Sequence, residues 1–527
     1  MIRLRRSFDE KHVPPRALVP VILAILIGGL TGFYVFFAER EVPPWDPSSM
    51  VLLSKAMLES ATIQYIDINN AEVGPYFNPH GFDIRAPVDP QPYSVFPPGF
   101  SVVLVAAYKL GGLQWLYLLS PLLTALGLGA AAYLGYQLGG AWASIFAVIL
   151  IATSRVVTTF ATSLWADGPS LAFLLLGLAL YVAARASERT PLFLLSGLCL
   201  GLVILCKFVN VVFVALILGY HLTVTRGRQR TAWLGWLSLG LLPGIVGLLL
   251  YQSRAYGGAL ASAYRPWGQS LYDFPLFSIR YLFDKSPLPW NDISSQAIVQ
   301  GLLRDMQIWL LLPLMGLLVS RRRSLAWLFA LIALGNIAIY AVSVFTPRQF
   351  INMRYLLPAL AAGYLLAAVA LAWIATRMRS KIAQAALVLV VVAFSVGSLI
   401  WQTIPELTSR NTGTSNTIKL VQSTAQTMTP DSVVLAYSLA DTFILYGNLS
   451  VLNYRRVEAP DRETRNQLVL DAIDRLLTTG KPVYLVKDDE YQFGSIYPDI
   501  QRRYLLREVG TPLLAYQLNI ANNNGQQ

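Results

Sequence analysis

The sequence predicts a polytopic α-helical membrane protein with a small α/β domain at its carboxyl end. Hydrophobic residues make up 55% of the 527 residues and charged residues only 13%, a composition typical of multi-pass membrane proteins. Clusters of Arg and Lys occupy the short connections between the apolar segments, as they do in cytoplasmic loops. After residue 404 the apolar runs shorten to strand length, which indicates a separate folded domain.

Eleven membrane crossings are predicted, because a helix needs about 20 apolar residues to span the hydrocarbon core. Ala17 to Phe37 follows a basic leader without a clear cleavage site, so we interpret it as an uncleaved anchor. The charge-free stretch Leu110 to Ser154 is long enough for two crossings, folded at Gly139 and Gly140. Lys207 interrupts the stretch Leu192 to Thr223, which we divide there into two crossings. The other crossings are Pro169 to Ala184, Ala232 to Tyr251, Met306 to Ser320, Leu325 to Phe345, Tyr355 to Ala375 and Ile382 to Ile404.

The distribution of positive charge predicts the orientation of the chain. Basic clusters lie before the first crossing and in the connections around residues 185–189, 226–230, 321–323 and 377–381. By the positive-inside rule these clusters are cytoplasmic, which places the amino terminus inside and the carboxyl terminus outside the cell membrane. The net charge of +12 does not indicate nucleic-acid binding, because the basic residues sit at the ends of apolar runs.

Residues 1–404 are predicted to form the transmembrane domain, with long outer loops at 38–114 and 252–305. Gly99 to Gly112 is apolar enough to be a short crossing, but a crossing there would turn every later basic cluster to the outside. We therefore interpret this segment as an interfacial or re-entrant helix.

Residues 405–527 are predicted to form an extracytoplasmic α/β domain. Four strands are expected at Ser432 to Tyr437, Leu449 to Tyr454, Pro482 to Lys487 and Thr511 to Leu518. A helix from Asp461 to Thr479 lies between the second and third strands, with Gly480 as its stop. Since this domain has neither a glycine-rich phosphate loop nor a cysteine, a binding or packing role is favoured over catalysis.

Charged residues at the predicted outer membrane edge are the candidates for chemistry. Asp46 follows Trp45 at the start of the first outer loop, and Asp167 stands just before an apolar segment. Lys207 is a lone cation between two apolar half-segments, which is costly in a bilayer and usually functional. Arg348 and Arg354 lie at the outer end of another crossing, and the cytoplasmic connections contain no P-loop or metal-ligand pattern.

These motifs, in this order and with this topology, resemble those of the polytopic GT-C glycosyltransferases. The resemblance is to the protein O-mannosyltransferases and the aminoarabinose transferase of lipid A, and it covers most of the chain. Asp46 matches the Asp of the family's first outer loop, although Pro47 replaces the Glu that usually follows. Phe96-Pro97-Pro98-Gly99 resembles the element before the re-entrant helix.

The later motifs extend the resemblance. Asp167 resembles the family's second outer Asp, here with Gly168 before Pro169. Lys207 resembles the lysine at the break between two central helices, and Arg354, Tyr355 and Pro358 resemble the Arg-Tyr-x-x-Pro element. Apolar residues replace the Glu-Lys pair of the aminoarabinose transferase. The resemblance implies a GT-C fold, a polyprenyl-phosphate sugar donor and a glycosyl transfer at the outer face.

The residue types suit that reaction. Transfer needs a base that takes the proton of the acceptor hydroxyl, and Asp46 is the first candidate, with Asp167 as the second catalytic candidate. The leaving phosphate needs cations or a metal to neutralise its charge. Lys207 and Arg354 are the candidates for this role, with Arg348 and Arg155 behind them. The metal, Mg²⁺ or Mn²⁺ if one is used, has no assigned ligands.

Each candidate also has a purely structural interpretation. Asp46 is placed to form a turn or a helix cap, and Asp167 to cap its crossing. Lys207 is able to snorkel to the head groups, and Arg354 to anchor a helix at the interface. His80 has no second histidine near it, so a loop residue is favoured over a metal ligand.

The sequence thus predicts an inverting membrane glycosyltransferase of the cell envelope that uses a polyprenyl-phosphate sugar and a lipid, glycan or protein acceptor. A transporter of lipid-linked saccharides is one alternative, but it predicts polar residues at the bilayer midplane. A non-catalytic assembly subunit with the same fold is the other, and the missing Glu after Asp46 is the observation that favours it.

Overall fold

The chain is seen in a computed structural model, which describes residues 17–83, 91–261, 277–284, 293–343, 350–454, 457, 461–509 and 512–520. It forms two compact units. The first contains residues 1–39, 112–248 and 271–408, and the second contains residues 40–111, 249–270 and 409–527. The second unit therefore combines most of the first outer loop with the carboxyl-terminal segment.

Helices account for most of the described residues, and we number them in chain order. They are α1 (Leu18–Phe37), α2 (Asp46–Glu59), α3 (Asn69–Glu72), α4 (Gly99–Gly111), α5 (Leu113–Gly139), α6 (Ala141–Thr153), α7 (Arg155–Ala161), α8 (Asp167–Ser187), α9 (Thr190–Cys206), α10 (Val211–Val224), α11 (Gly227–Tyr256), α12 (Ser294–Met306), α13 (Leu312–Val319), α14 (Arg323–Ala341), α15 (Leu357–Arg377), α16 (Lys381–Ser398), α17 (Ile404–Ala425), α18 (Arg462–Thr478) and α19 (Glu490–Arg503).

Seven spans among the described residues are long and apolar enough to cross a membrane, and nine if each of two bent helix pairs counts as one span. The bent pairs are α6 with α7, at 70°, and α12 with α13, at 64°. The apolar helices α9 and α10, with 17 and 14 residues, are too short to be counted among these spans. The multi-pass helical class is confirmed, whereas the number of eleven crossings stays a prediction.

The predicted division at Lys207 is confirmed as a helix break. Lys207 has an extended backbone, with φ −155° and ψ 101°, and ends α9. A short 3₁₀ turn over Phe208–Asn210 then leads into α10. At the other end of α10, the carbonyl oxygen of Val224 accepts a hydrogen bond from Arg185 at the end of α8. Because Lys207 contacts the start of α8, α9 and α10 form a hairpin with Lys207 at its turn.

Contacts within the first unit bring the basic connections to one end of its helices. The Tyr220 hydroxyl lies 3.5 Å from a guanidinium nitrogen of Arg185 and 3.4 Å from the hydroxyl of Ser324. The next connection is tied to α5, since the amide of Arg321 donates to the carbonyl oxygen of Leu138 at 2.9 Å. The connections at 185–189, 226–230 and 321–323 therefore share one end, as the positive-inside pattern predicts.

The second unit contains a five-stranded sheet with the strand order β4-β3-β5-β7-β6. β3 is parallel to both β4 and β5, whereas β7 is antiparallel to β5 and β6. The strands, preceded by a two-stranded hairpin of β1 and β2, are β1 (Phe82–Asp83), β2 (Tyr93–Ser94), β3 (Val433–Ala436), β4 (Ser450–Asn453), β5 (Val483–Val486), β6 (Tyr504–Val509) and β7 (Ala515–Ile520).

The predicted α/β domain is confirmed in its main elements. β3, β4, β5 and β7 lie in or overlap the expected segments, and α18 fills the expected helix. Asp461 caps α18 by accepting a hydrogen bond from the Thr464 amide at 2.8 Å, and Gly480 follows it with φ +77°. α19 and β6 were not predicted, because charged residues interrupt the apolar pattern of both.

The core of the second unit draws on both parts of its sequence. Val73 and Phe77, from the first outer loop, are buried in the same cluster as Val469 and Ile473 of α18. The guanidinium of Arg475 donates to the carbonyl oxygen of Val73 at 2.8 Å. The loop 40–111 is thus packed into the carboxyl-terminal domain by apolar burial.

Candidate functional site

Asp167 and Lys207 form a close ion pair in the first unit. Asp167 is the first residue of α8, and Lys207 occupies the turn between α9 and α10. The Lys207 Nζ atom lies 2.5 Å from the Asp167 Oδ1 atom. The two side chains are only 19% and 8% exposed, so each charge needs the other for compensation.

Arg354 joins this pair through aromatic rings. Its guanidinium carbon lies 4.0 Å from the ring centroid of Trp165 and 5.0 Å from that of Tyr355. The Lys207 Nζ atom lies 4.7 Å from the same Tyr355 centroid. The two distances to the Tyr355 ring, from Lys207 and from Arg354, are within the range of cation–π attraction. The two cations therefore share this ring. We call Asp167, Lys207, Arg354 and these two aromatic residues the cation cluster.

A ring stack and two hydrogen bonds hold the residues of the cation cluster in place. Tyr340 stacks on Tyr355 with ring centroids 4.8 Å apart and planes at 9°. The side-chain amide of Asn336 donates to the Tyr355 carbonyl oxygen at 3.0 Å. On the other side, a carboxylate oxygen of the buried Glu39 accepts from the Leu164 amide at 3.0 Å, just before Trp165. Buried side chains therefore fix the backbone of the cluster at Leu164 and Tyr355.

The sequence analysis missed Glu39, Trp165 and Tyr340. One signal for Trp165 was present, because a tryptophan stands one or two residues before each candidate aspartate, in PWD and in LWAD. Glu39 and Tyr340 carry no comparable signal, since their contacts lie far away along the chain.

Arg155 is paired with a carboxylate other than Asp167. Arg155, the first residue of α7, forms an ion pair with Glu406 at 2.6 Å. Its donor-binding role stays a prediction, but a carboxylate already neutralises its charge. Arg348 lies outside the described residues.

A second buried carboxylate, Asp305, stabilises the bend between α6 and α7. It accepts hydrogen bonds from the Ser154 hydroxyl at 2.7 Å and from the Val156 amide at 3.0 Å. The Tyr364 hydroxyl donates to it at 3.0 Å. Asp305 therefore satisfies one of the free amides at the start of α7, that of Val156, which is a structural role.

Asp46 belongs to the second unit, where it is the first residue of α2. Trp45 before it has φ +77°, an uncommon conformation for a residue other than glycine. Pro47 follows at the first turn of the helix, where a missing amide hydrogen costs nothing. Asp46 is partly exposed.

The backbone around Asp46 is held by Asp441. The Ser48 hydroxyl donates to Asp441 Oδ2 at 2.5 Å, and the His80 amide donates to Asp441 Oδ1 at 2.6 Å. The His80 ring packs edge-on against Trp45, with centroids 4.9 Å apart. The His80 ring thus packs within this loop.

A cavity of about 300 Å³ opens along the later part of α2. Its lining mixes polar and apolar side chains, among them Lys55, Gln64, Asp67, Ile444 and Asn448. It belongs entirely to the second unit.

The described residues do not provide a ligand set for the expected divalent cation. No three His, Cys, Asp or Glu side chains among them lie close enough to hold a metal. The Asp167 carboxylate is already engaged by Lys207, so the cation cluster suits an anion better than a metal ion.

Three solved structures share the architecture of the chain. ArnT from Cupriavidus metallidurans bound to undecaprenyl phosphate matches 97% of this chain and 100% of its own, with 16% identity and a TM-score of 0.60. The Archaeoglobus fulgidus oligosaccharyltransferase in the apo form matches 98% and 76%, with 11% identity and a TM-score of 0.53. The arabinofuranosyltransferase AftD from Mycobacteria matches 98% and 40%, with 15% identity and a TM-score of 0.53.

No protein-family model and no curated protein matches the sequence. The three structures described above are GT-C glycosyltransferases, and at 11–16% identity the likeness shows the fold alone. The chain therefore has the fold of the polytopic GT-C membrane glycosyltransferases, as the order of its motifs predicted.

Proposed function

We propose that the protein is an inverting glycosyltransferase that takes a sugar from a polyprenyl-phosphate carrier at the outer face of the cell membrane. The observation that carries the proposal is the cation cluster, in which Lys207 and Arg354 surround one aromatic ring beside a single carboxylate. The ArnT structure of the same fold is bound to undecaprenyl phosphate, which supports a lipid-phosphate ligand for this chain too.

The charges of the cluster suit the chemistry of the donor. Lys207 and Arg354 are both cations, and a sugar phosphodiester carries one negative charge. When the bond between the anomeric carbon and the phosphate oxygen breaks, the leaving lipid phosphate gains negative charge. Fixed cations in a water-poor site stabilise this developing charge because they need no reorganisation.

Asp167 suits a positioning role in this proposal. Its carboxylate is mostly buried and paired with Lys207 at 2.5 Å, which orients the ammonium. Because Lys207 already occupies an oxygen of this carboxylate, the group is less available to take a proton from an acceptor hydroxyl. The catalytic role expected for Asp167 is therefore less well supported than the positioning role.

Asp46 is the proposed base. Its carboxylate takes the proton of the acceptor hydroxyl while the hydroxyl oxygen attacks the anomeric carbon from the face opposite the phosphate. The new glycosidic bond forms as the bond to phosphate breaks, so the configuration inverts. The products are the glycosylated acceptor and the lipid phosphate, and the proton remains on Asp46 until water removes it.

Transfer from a labelled donor tests the proposal. Purified protein in lipid nanodiscs is incubated with a radiolabelled polyprenyl-phosphate sugar and an extract of envelope lipids and glycans. We expect label to appear in the acceptor fraction and lipid phosphate to accumulate. Donor binding without transfer would favour the non-catalytic subunit, and donor movement across a sealed bilayer without transfer would favour the transporter.

A further inference from the structure

We propose that Asp441, in the carboxyl-terminal domain, is a positioning residue that holds the backbone of Asp46 in its working conformation. The inference rests on the proposed function, because it assigns Asp441 a task in the reaction of Asp46. It also gives the carboxyl-terminal domain a role in catalysis, although that domain supplies no reacting group.

Asp441 is a buried carboxylate whose oxygens are used by the first outer loop. It is 2% exposed, and both of its oxygens accept hydrogen bonds from that loop. The Ser48 hydroxyl lies 2.5 Å from Oδ2 and the His80 amide 2.6 Å from Oδ1. The Ser49 hydroxyl adds a longer contact of 3.4 Å to Oδ2. Charge-assisted bonds of this kind are about twice as strong as neutral ones.

The same segment of the carboxyl-terminal domain contacts both sides of Asp46. On the amino-terminal side, the Val42 amide donates to the Tyr446 hydroxyl at 2.6 Å. The Trp45 ring packs edge-on against Tyr437, with centroids 6.2 Å apart. On the carboxyl-terminal side, Ser48 reaches Asp441. Asp46 is therefore bracketed by contacts four residues before it and two residues after it.

The conformation of Trp45 explains why such a hold is needed. A tryptophan at φ +77° occupies a sparsely populated, unfavourable region that persists only where the surroundings enforce it. Ser48 provides the enforcement, because its hydroxyl contacts both the Trp45 carbonyl oxygen, at 2.6 Å, and Asp441. Without Asp441, the turn is free to relax and to carry Asp46 with it.

The strand order of the domain explains how Asp441 is itself placed. β3 and β5 are parallel neighbours, so their carboxyl ends meet at one edge of the sheet. Asp488 follows β5 and accepts hydrogen bonds from the amides of Tyr437 and Leu439, at 2.8 and 2.9 Å. This fixes the loop that leads from β3 to Asp441.

Asp441→Asn is the direct test, since it keeps the volume and removes the charge and one acceptor oxygen. We expect kcat for sugar transfer to fall by about 100-fold, as a misplacement of about 1 Å can cost that much. The KM for the donor should stay within about twofold of wild type, because uniform binding is not affected. Amide hydrogen exchange in peptides covering 41–50 and 78–83 should become faster.

Asp461→Ala is the control in the same domain, because alanine, unlike asparagine, cannot cap a helix. Asp461 caps α18 by accepting a hydrogen bond from the Thr464 amide at 2.8 Å. It is not one of the residues that bind Ser48 or His80. The substitution should lower the melting temperature of the protein without changing kcat or exchange in 41–50.

Three results would overturn the inference. One is an unchanged kcat in Asp441→Asn, and another is unchanged hydrogen exchange around Asp46. The third is an equal loss of kcat in the Asp461 control, which would indicate general destabilisation. Failure of the proposed function looks different, because then the wild-type protein shows no transfer at all while the exchange data still report whether Asp441 holds the loop.

Discussion

At the scale of single residues, the contacts of Lys207 in the cation cluster bear on whether this lysine binds the donor phosphate or only snorkels to the head groups. A lysine that only snorkels extends its ammonium into the head groups. Here the ammonium is bound to Asp167 and lies over Tyr355. The guanidinium of Arg354 contacts the same ring and also the ring of Trp165. Two cations gathered around one ring are expensive to maintain in an apolar protein, which is the reason to expect an anionic ligand.

Replacing either cation should weaken donor binding. Lys207→Met and Arg354→Gln each remove a charge-assisted hydrogen bond worth about 1.5–3 kcal/mol, or roughly 10- to 150-fold in Kd. The double variant should lose less than the sum of the two effects, since both side chains contact one phosphate. Titration with a polyprenyl-phosphate sugar measures all three values.

Arg377→Gln is the control for this experiment. Arg377 also lies over a tryptophan, Trp373, at 4.4 Å, but at the opposite end of α15 from Tyr355. Its loss should leave donor affinity unchanged. Unchanged affinity in the Lys207, Arg354 and double variants would refute the phosphate-binding assignment.

Asp46→Asn should abolish transfer and leave expression and donor affinity near wild type. The change removes the proposed base at almost constant volume, and general-base catalysis contributes about 10²- to 10⁴-fold in rate. Steady-state transfer rates at saturating donor measure the loss. Loss of a general base should leave about a hundredth of the wild-type rate or less. Retention of more than about a tenth of that rate would indicate that Asp46 is a turn residue and would direct attention to Asp167.

At the scale of elements, α9 and α11 pack through glycines on both helices. Gly197 and Gly201 of α9 face Gly240 and Gly244 of α11, and a Cβ atom on Gly240 would lie 2.9 Å from the Gly197 Cα atom. Both pairs have the spacing of the small-xxx-small pattern that lets membrane helices approach closely. This packing places α9, and therefore Lys207 at its end.

Gly240→Leu should destabilise this helix pair. The new side chain has no space against the backbone of α9, and overpacking of this kind costs about 1–3 kcal/mol or more. Thermal unfolding in detergent should show a lower melting temperature. Gly235→Leu on the same helix is the control, because nothing lies within 4 Å of its Cβ position. Equal effects of the two changes would argue against the close approach.

Asp488 makes the carboxyl-terminal domain sensitive to pH. Burial raises the pKa of its carboxyl above the ordinary value, against the hydrogen bonds from Leu439 and Tyr437 that lower it. Among the described residues its Oδ1 atom has no hydrogen-bond partner, which also favours the protonated form. The folded state therefore binds the proton more tightly than the unfolded state, in which the pKa is about 3.9.

Asp488 therefore makes the folded state less stable as pH rises. The stabilisation from its more tightly bound proton is fully present below the pKa of the unfolded state, and it is lost as pH rises through the higher pKa of the folded state. Asp488→Asn mimics the protonated form, so its melting temperature should increase relative to wild type between about pH 4 and pH 7. Melting curves of the full-length proteins across this range measure the difference, and a relative gain by wild type would contradict the assignment.

At the scale of the whole molecule, the distribution of basic residues defines the two ends of the first unit. Arg185, Arg321 and their neighbouring connections share one end, while Asp167, Lys207 and Arg354 lie at the other. By the positive-inside rule we expect the first end to be cytoplasmic and the cation cluster to face outward. A lipid-phosphate donor would be the natural source of activated sugar on that side.

Reporter fusions test this orientation. Fusions after Arg230 and Arg323 should show cytoplasmic reporter activity, and a fusion after Asn411 should show activity only outside. The expected pattern follows from the retention of Lys- and Arg-rich connections in the cytoplasm. An external signal at Arg323 would reverse the assignment and place the cation cluster inside the cell.

Much of the architecture could be predicted from the sequence because it depends on local patterns. Apolar segments near bilayer length identified the long helices, and the charge at Lys207 marked the break between α9 and α10. Strand-length runs identified β3, β4 and β5. The same reasoning missed β6 and α19, in which charged residues such as Arg507 and Arg502 interrupt the apolar period.

The sequence by itself determined the membrane class, the candidate residues and the side on which the basic connections gather, since composition and short-range periodicity carry that information. Only the tertiary structure decided which candidates meet. Asp167 and Lys207 pair across 40 residues, and Ser48 meets Asp441 across 393. Contacts at such separations depend on the packing of helices and strands against one another, and a single sequence does not record which distant side chains that packing brings within hydrogen-bond distance.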